Sequence, residues 1–369
     1  MGCSVGVVTY HKSLSYGGCL QAFATMEVIR RLGGSPFFVD YENPYEARAK
    51  SSEALRHGSP RQRVAVLAKR LLYNQKECHR RAFSSFAASL PLSEECCKSI
   101  DGLDTVEADA LLVGSDQVWN PKITGGIDPV FFLQFGKAKR RVSFASSVGS
   151  YQMGAEELSQ VASYLSRFTS ICVREDFAKG QIQPLVDVPV HVGADPTLQL
   201  HGDEWRRFAE GVDGLEPRSY ILVFSVASTL SRLAPMIRDI KGALHLPIVQ
   251  VRLNSKKPAL VDHVIPATPF ELVWLIDNAA HVLTDSFHGL AFSINMETSF
   301  TLLPNEGNNV RLLELARLSG LSSRMRQPDE RSCAWEEIDF SVARESLTQR
   351  RAEDKVWLSS ALGFGENGV

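Results

Sequence analysis

The densest chemistry in the sequence lies in His281-Val282-Leu283-Thr284-Asp285-Ser286-Phe287-His288-Gly289-Leu290-Ala291-Phe292-Ser293. An apolar run stops at Thr284, the Asp285-Ser286 pair has the chemistry of a helix cap, and a helix is expected from about Phe287. Helix starts carry a partial positive charge, so Ser286, Phe287, His288 and Gly289 read as an anion-binding turn. His288 would sit in its first turn, where an imidazole can donate to a phosphate or move a proton. Gly289 would let a ligand or a neighbouring backbone approach. The blander alternative is a capped core helix with an incidental histidine.

Three other segments carry polar groups at the ends of apolar runs. In Thr9 to Gln21, His11, Lys12 and Tyr16 precede the Gly17-Gly18 pair that opens a helix. Neither G-x-G-x-x-G nor the P-loop pattern is present, so a dinucleotide or Walker-type site is not supported. In Gly114 to Pro121, Asp116, Gln117 and Asn120 can read hydroxyl groups, and Trp119 can stack on a sugar face or simply pack. Arg174 ends another run; a guanidinium there suits a carboxylate or phosphate, or a salt bridge with Glu175 or Asp176. Arg311 can cap its helix or reach an anion. The sequence holds no G-x-S-x-G elbow, H-E-x-x-H motif or carboxylate-rich metal cluster, so hydrolase readings are poor and no metal is expected.

The elements that position these loops alternate between strand and helix. Strands are expected at 6–10, 36–41, 110–114, 141–146, 170–174, 188–193, 220–226, 248–252 and 281–284. Helices are expected at 19–32, 156–168, 270–279, 289–295 and 309–318. Trp205, several glycines and a proline between 201 and 218 mark a junction. The fold class is therefore α/β, two Rossmann-like lobes facing across a cleft, a GT-B-like architecture. The lobes are read as 1–201 and 219–325, joined by a linker at 202–218 and followed by a helical tail at 326–369. Ligands of such sheets sit beyond the carboxyl ends of the strands, which is where the loops above lie.

Composition narrows the function. The chain has 369 residues with 44% apolar and 22% charged side chains, an ordinary globular balance. With 40 Lys and Arg against 42 Asp and Glu, the net charge of −2 argues against a nucleic-acid binder. Seven scattered cysteines without a C-x-x-C pair fit free thiols in a cytoplasmic protein. No apolar stretch is long enough to span a membrane, and the N-terminus reads as a buried strand rather than a secretion signal. One insertion, 46–90, stands apart. Between Glu46 and Arg81 ten Lys and Arg oppose three Glu, and Val64, Leu67, Ala68 and Leu71 fall at helical spacing. It reads as a basic amphipathic helix, either a solvated face or a contact for anionic membrane lipid or a diphosphate-bearing acceptor.

Taken in order, these stretches resemble the polysaccharide pyruvyl transferase family. The resemblance rests on Tyr16-Gly17 with Leu20 to Phe23, Val113 to Pro121 as V-G-S-D-Q-V-W-N-P, and Val173-Arg174-Glu175. It continues with Asp195 to Leu198, Thr284 to Ser293 as T-D-S-F-H-G-L-A-F-S, and Arg311 to Leu321, covering roughly residues 5 to 325. Ser15 and Gly18 depart from the Asn and Ala common in the family. The resemblance implies an enzyme that transfers pyruvate as a ketal from phosphoenolpyruvate, a co-substrate rather than a cofactor, to a sugar of a cell-surface polysaccharide or lipid-linked glycan precursor. By motif match it associates Arg174 and His288 with the donor; Ser286, Phe287, Gly289 and Arg311 are further donor-binding candidates, and the second lobe is read as the donor side. Lys12, Tyr16, Gly17, Gln117, Trp119 and Asn120 are the acceptor-side candidates. His288 is the candidate for proton transfer, and Asp116 and His11 are candidate bases for the sugar hydroxyls. Two other readings are open: a nucleotide-sugar glycosyltransferase of the same fold, with Asp262 and Glu271 as loose nucleotide contacts, and a non-catalytic glycan-binding relative.

Overall fold

A computed structural model describes residues 2–45, 83–84, 86–88, 90–93, 96–226, 230–252, 258–304, 309–327, 335 and 337–364. The basic helix expected between Glu46 and Arg81 falls outside these residues. The chain divides into two compact units. One comprises Met1–Asn74, Phe86–Gln199 and Arg350–Val369, and the other Gln75–Ser85 and Leu200–Gln349.

In the first unit the described strands are β1 (Ser4–Val8), β2 (Ser35–Phe38), β3 (Ala110–Val113), β4 (Arg140–Ser146), β5 (Ser170–Val173) and β6 (Val190–Val192). They form one parallel sheet in the order β2-β1-β3-β4-β5-β6. Strands such as Ala110-Leu111-Leu112-Val113 are apolar throughout because both faces are covered. Val8, Leu111, Val113, Ile171 and Val173 enter one core. Val5, Val7, Ala110, Leu112, Val142, Phe144 and Cys172 enter the other, the period of two that a strand imposes. Each fully buried Val or Leu contributes roughly 1.5–3 kcal/mol.

Helix α1 (Tyr16–Arg31) follows β1 and sends Ala22, Met26 and Ile29 into the second of these cores. It starts earlier than the apolar periodicity predicts, because Ser15 is its N-cap and accepts from the Gly18 N–H. Helices α2 (Ala155–Leu165) and α3 (Asp176–Ile182) cover the opposite face through Val161, Leu165, Ala178 and Ile182.

The second unit carries β7 (Ile221–Phe224), β8 (Ile248–Val251), β9 (His263–Ile265), β10 (His281–Thr284) and β11 (Phe300–Leu302). They too run parallel, in the order β11-β10-β7-β8-β9. Helix α4 (Leu230–Leu244) packs Leu233, Met236, Ile237 and Ile240 against Ile221, Val223, Ile248 and Leu283. Further described helices are α5 (Pro269–Asp277), α6 (Phe287–Asn295), α7 (Val310–Leu318) and α8 (Ser341–Leu362). Within the expected linker, Gly202–Arg206 forms a helical turn whose buried Trp205 meets Phe292 edge-on, 4.9 Å between ring centres. Within the span expected as a helical tail, Leu358, Ala361 and Leu362 of α8 belong to a core of the first unit.

Each strand order contains one reversal. It lies between β1 and β3 in the first unit and between β7 and β10 in the second, and ligands of open parallel sheets bind beyond the strand ends at such points. No helix among the described residues is long and apolar enough to cross a membrane.

Candidate active site

In the second unit the reversal falls on the segment richest in chemistry. Thr284 Oγ1 ends β10 by donating to the Phe224 carbonyl at 2.7 Å and accepts from the Ser286 N–H. Asp285 is fully buried and accepts from Ser225 Oγ at 2.7 Å and from the Val226 N–H at 2.8 Å. The two loops at the reversal are thereby tied together. Ser286 caps α6, accepting from the Gly289 N–H, and α6 starts at Phe287 as the sequence predicts. A Cβ at position 289 would press onto Thr284 Oγ1, so glycine is required there by contact. His288 is buried in the first turn with the Phe287 ring edge-on to it, 5.2 Å between centres. The Arg311 guanidinium lies 5.7 Å above that Phe287 ring. An imidazole, a helix start and a guanidinium therefore gather around one aromatic ring. Arg232 donates to the Pro304 carbonyl at 3.2 Å, beyond the end of β11.

At the first unit's reversal a buried hydrogen-bond network joins the loops. Gln21 Nε2 donates to Thr9 Oγ1 and to the Gly18 carbonyl, and Gln21 Oε1 accepts from the Ser115 N–H. Ser115 Oγ donates to Asp195 Oδ2 at 3.0 Å, while Thr197 binds the other oxygen of Asp195 through its N–H and hydroxyl. Arg174, 3% exposed, donates to Asp195 at 2.6 Å and lies 3.6 Å from Asp116 and 3.7 Å from Glu175. Burial disfavours its charge, but Asp195, Asp116 and Glu175 more than offset this and raise its pKa. Glu175 also accepts from Ser147 Oγ and the Val148 N–H. Arg174 thus stands among three carboxylates of its own unit and fastens the loops after β3, β5 and β6.

Asp116 has φ of 70°, and Ala145, at the end of the neighbouring strand, 49°. Such left-handed conformations cost about 1–3 kcal/mol each and are the kind of strain that accumulates at working sites. The Asp116 carbonyl is held by the Ser147 and Val118 N–H groups, and its carboxylate accepts from the Gln117 N–H at 2.8 Å.

The other first-unit candidates are dispersed among different tasks. His11 is buried between the Thr9 carbonyl at 3.1 Å and Asp40 Oδ1 at 3.2 Å, its ring stacked on Phe38. Lys12 reaches the second Asp40 oxygen at 2.6 Å and is 38% exposed. Burial would raise the Asp40 carboxyl, yet the bonds from His11 and Lys12 take it down to about 2. Trp119 is buried, donates to the Phe131 carbonyl at 2.8 Å and stacks on Phe132, which spends its ring in the core. Asn120 caps the turn Pro121–Thr124 and donates to Gln117 Oε1 at 2.9 Å. Tyr16 and Gly17 are buried in the first turn of α1.

Asp40, Gln21 and Ser115 carry this network without a sequence signal. Gln21 and Ser115 lie in the stretches that carry the resemblance but are not singled out there by their own chemistry, Asp40 lies outside them, and topology brings the three together. The loose nucleotide candidates also have local partners. Asp262 binds Lys241 and the Ile248 N–H at the amino end of β8, away from the loops that follow the strands, and Glu271 completes the capping box of α5.

Among solved structures the chain is similar to the UDP-GlcNAc 2-epimerase of Methanocaldococcus jannaschii: 11% identity over 99% of this chain and 100% of that one, TM-score 0.49. It is also similar to the glycosyltransferase SnogD of Streptomyces nogalater, with 11% identity, both chains fully covered and a TM-score of 0.47. The UDP-GlcNAc 2-epimerase of Neisseria meningitidis gives 13% identity, 98% and 94% coverage and a TM-score of 0.46. No curated protein matches the chain in sequence. The sequence profile of the polysaccharide pyruvyl transferases matches residues 16–307, a span that takes in the loop after β3 and the β10–α6 turn but starts after β1 and its loop. The chain belongs to the polysaccharide pyruvyl transferase family.

Proposed function

We propose that this protein transfers the pyruvyl group of phosphoenolpyruvate to two hydroxyls of a sugar, as a ketal, on a cell-surface polysaccharide or a lipid-linked precursor of one. Family membership supports the reaction class. The observation that carries the donor is the turn Ser286-Phe287-His288-Gly289 with Arg311 over Phe287. Phosphoenolpyruvate carries a phosphate and a carboxylate. A helix start and a guanidinium are complementary to such a dianion, and the imidazole beside them can deliver a proton to the methylene carbon.

The atoms balance as follows. The methylene carbon gains a proton, two hydroxyl oxygens bond to the central carbon, and phosphate leaves with its bridging oxygen. One of the two hydroxyl protons replaces the proton given to carbon, and the other departs with the phosphate. No step calls for a metal or a redox cofactor. Phosphoenolpyruvate is a cytoplasmic metabolite, so we place the reaction in the cytoplasm, with contact to the inner membrane surface where the acceptor is lipid-linked.

Calorimetric titration with phosphoenolpyruvate, set against UDP- and GDP-sugars, tests the donor directly. Saturable binding of phosphoenolpyruvate alone is expected; binding of a nucleotide sugar in its place would overturn the reading. His288→Ala is expected to lower phosphate release from phosphoenolpyruvate by about 10²–10⁴-fold with an unchanged thermal melt. A fully active variant would remove the chemistry from this turn.

A further inference from the structure

Pyruvyl transfer, the reading on which this inference rests, needs a group that takes the proton of an attacking sugar hydroxyl. The sequence offers His11 and Asp116 for that task; from the geometry of the first unit we infer that Asp116 is the general base and that His11 is a strut. His11 has no nitrogen to lend. Its Nδ1 faces the Thr9 carbonyl, its Nε2 faces Asp40, its ring lies flat on Phe38, and its side chain is 1% exposed. A base must come within about 2.6–3.2 Å of the proton's oxygen, and both His11 nitrogens already spend that approach on the protein.

Asp116 differs on each count. Its side chain is 19% exposed, beyond the end of β3 at the strand-order reversal where a ligand of this sheet would sit. One of its oxygens accepts a short bond from the adjacent Gln117 N–H, which leaves lone pairs on the carboxylate for a hydroxyl. Arg174, the nearby cation, is drawn instead to Asp195, at 2.6 Å against 3.6 Å for Asp116. Asp195, almost wholly buried, thus takes up the guanidinium that would otherwise tie Asp116 down. The left-handed backbone at Asp116, held from both sides by the Ser147 and Val118 N–H groups, fixes the direction of the carboxylate. As the hydroxyl oxygen bonds to the central carbon of the enolpyruvyl group, its O–H bond breaks and the proton passes to Asp116.

The test measures phosphate release from phosphoenolpyruvate with a panel of methyl hexopyranosides as acceptors. It compares the unaltered protein with Asp116→Asn, Asp116→Gly and His11→Gln. Asparagine and glycine both accept a positive φ, so the Asp116 variants keep the loop; thermal melts verify this. Asp116→Asn and Asp116→Gly are expected to slow release by about 10²–10⁴-fold with phosphoenolpyruvate binding intact by calorimetry. Added formate is expected to restore the glycine variant at least about tenfold, which a purely structural role would not allow. His11→Gln is expected to lose less than about tenfold. Asp116→Asn within about threefold of the unaltered rate, a His11→Gln loss as large as that of Asp116→Asn, or no rescue by formate would each overturn the assignment. If the unaltered protein neither binds phosphoenolpyruvate nor releases phosphate with any acceptor of the panel, the pyruvyl-transfer reading falls, and the assignment with it.

Discussion

Arg174, a donor candidate in sequence, also fastens the loops of its own unit in the structure. At the end of an apolar run it suits a carboxylate-bearing donor; in the fold its charge is met by Asp195, with Asp116 and Glu175 close by. Removing it would strand buried carboxylates at a cost of about 3–5 kcal/mol, so the informative variant keeps the charge. Arg174→Lys loses the fork that spans these carboxylates. It is expected to lower kcat by about tenfold or more while leaving the KM for phosphoenolpyruvate within about twofold. A steady-state titration of the donor checks this, and a raised KM with unchanged kcat would return Arg174 to the donor. The same contrast holds for Trp119. Its type and its place after a strand suit a sugar face, but only packing reveals that Phe132 already occupies its ring. His288 is the opposite case: strand end, cap and glycine are contiguous in sequence, so its setting is legible without the fold.

At the scale of elements, the caps and glycines do the positioning. The turn from β10 to α6 is set by Thr284, Ser286 and Gly289, three residues within six positions of one another. Gly289→Ala forces a methyl group onto Thr284 Oγ1 and is expected to cost about 1–3 kcal/mol by overpacking. The loss would appear as a lower thermal midpoint together with weakened phosphoenolpyruvate binding, since α6 must shift to accommodate the methyl group. An unchanged midpoint would show that the contact relaxes freely. Local signals serve strands well here: β10 coincides with its predicted span, and the first-unit strands differ by a few residues at their ends. They fail where the pattern is broken or short. No helix is read over Leu230–Leu244, where Pro235 interrupts the run, yet burial of Leu233, Met236, Ile237 and Ile240 holds one together. The three-residue strands β9 and β11 are too brief to show a period and exist because a neighbouring strand supplies their hydrogen bonds.

For the whole molecule, the chain returns late to a unit it began. Asp354 on α8 is buried and accepts from His191 at 2.7 Å, from the Ala194 N–H at 2.8 Å and from Gln199 at 2.6 Å, linking residues more than 150 positions apart. Asp354→Ala is expected to destabilise the first unit by about 2–4 kcal/mol through the donors it leaves buried. Calorimetric melting should then show one transition moved down and the other unmoved; two unmoved transitions would make α8 a dispensable tail.

The sequence by itself determined the α/β alternation, the β10–α6 turn and the family, because each is written in contiguous residues whose periodicity, capping and spacing are local properties. Tertiary structure alone decided the strand orders and hence which loops share a reversal. It also decided that Arg174 meets Asp195, that His11 meets Asp40 and that α8 completes a first-unit core. Those pairings depend on which strands lie side by side, a choice made by burying whole faces at once, and no stretch of neighbouring residues records it.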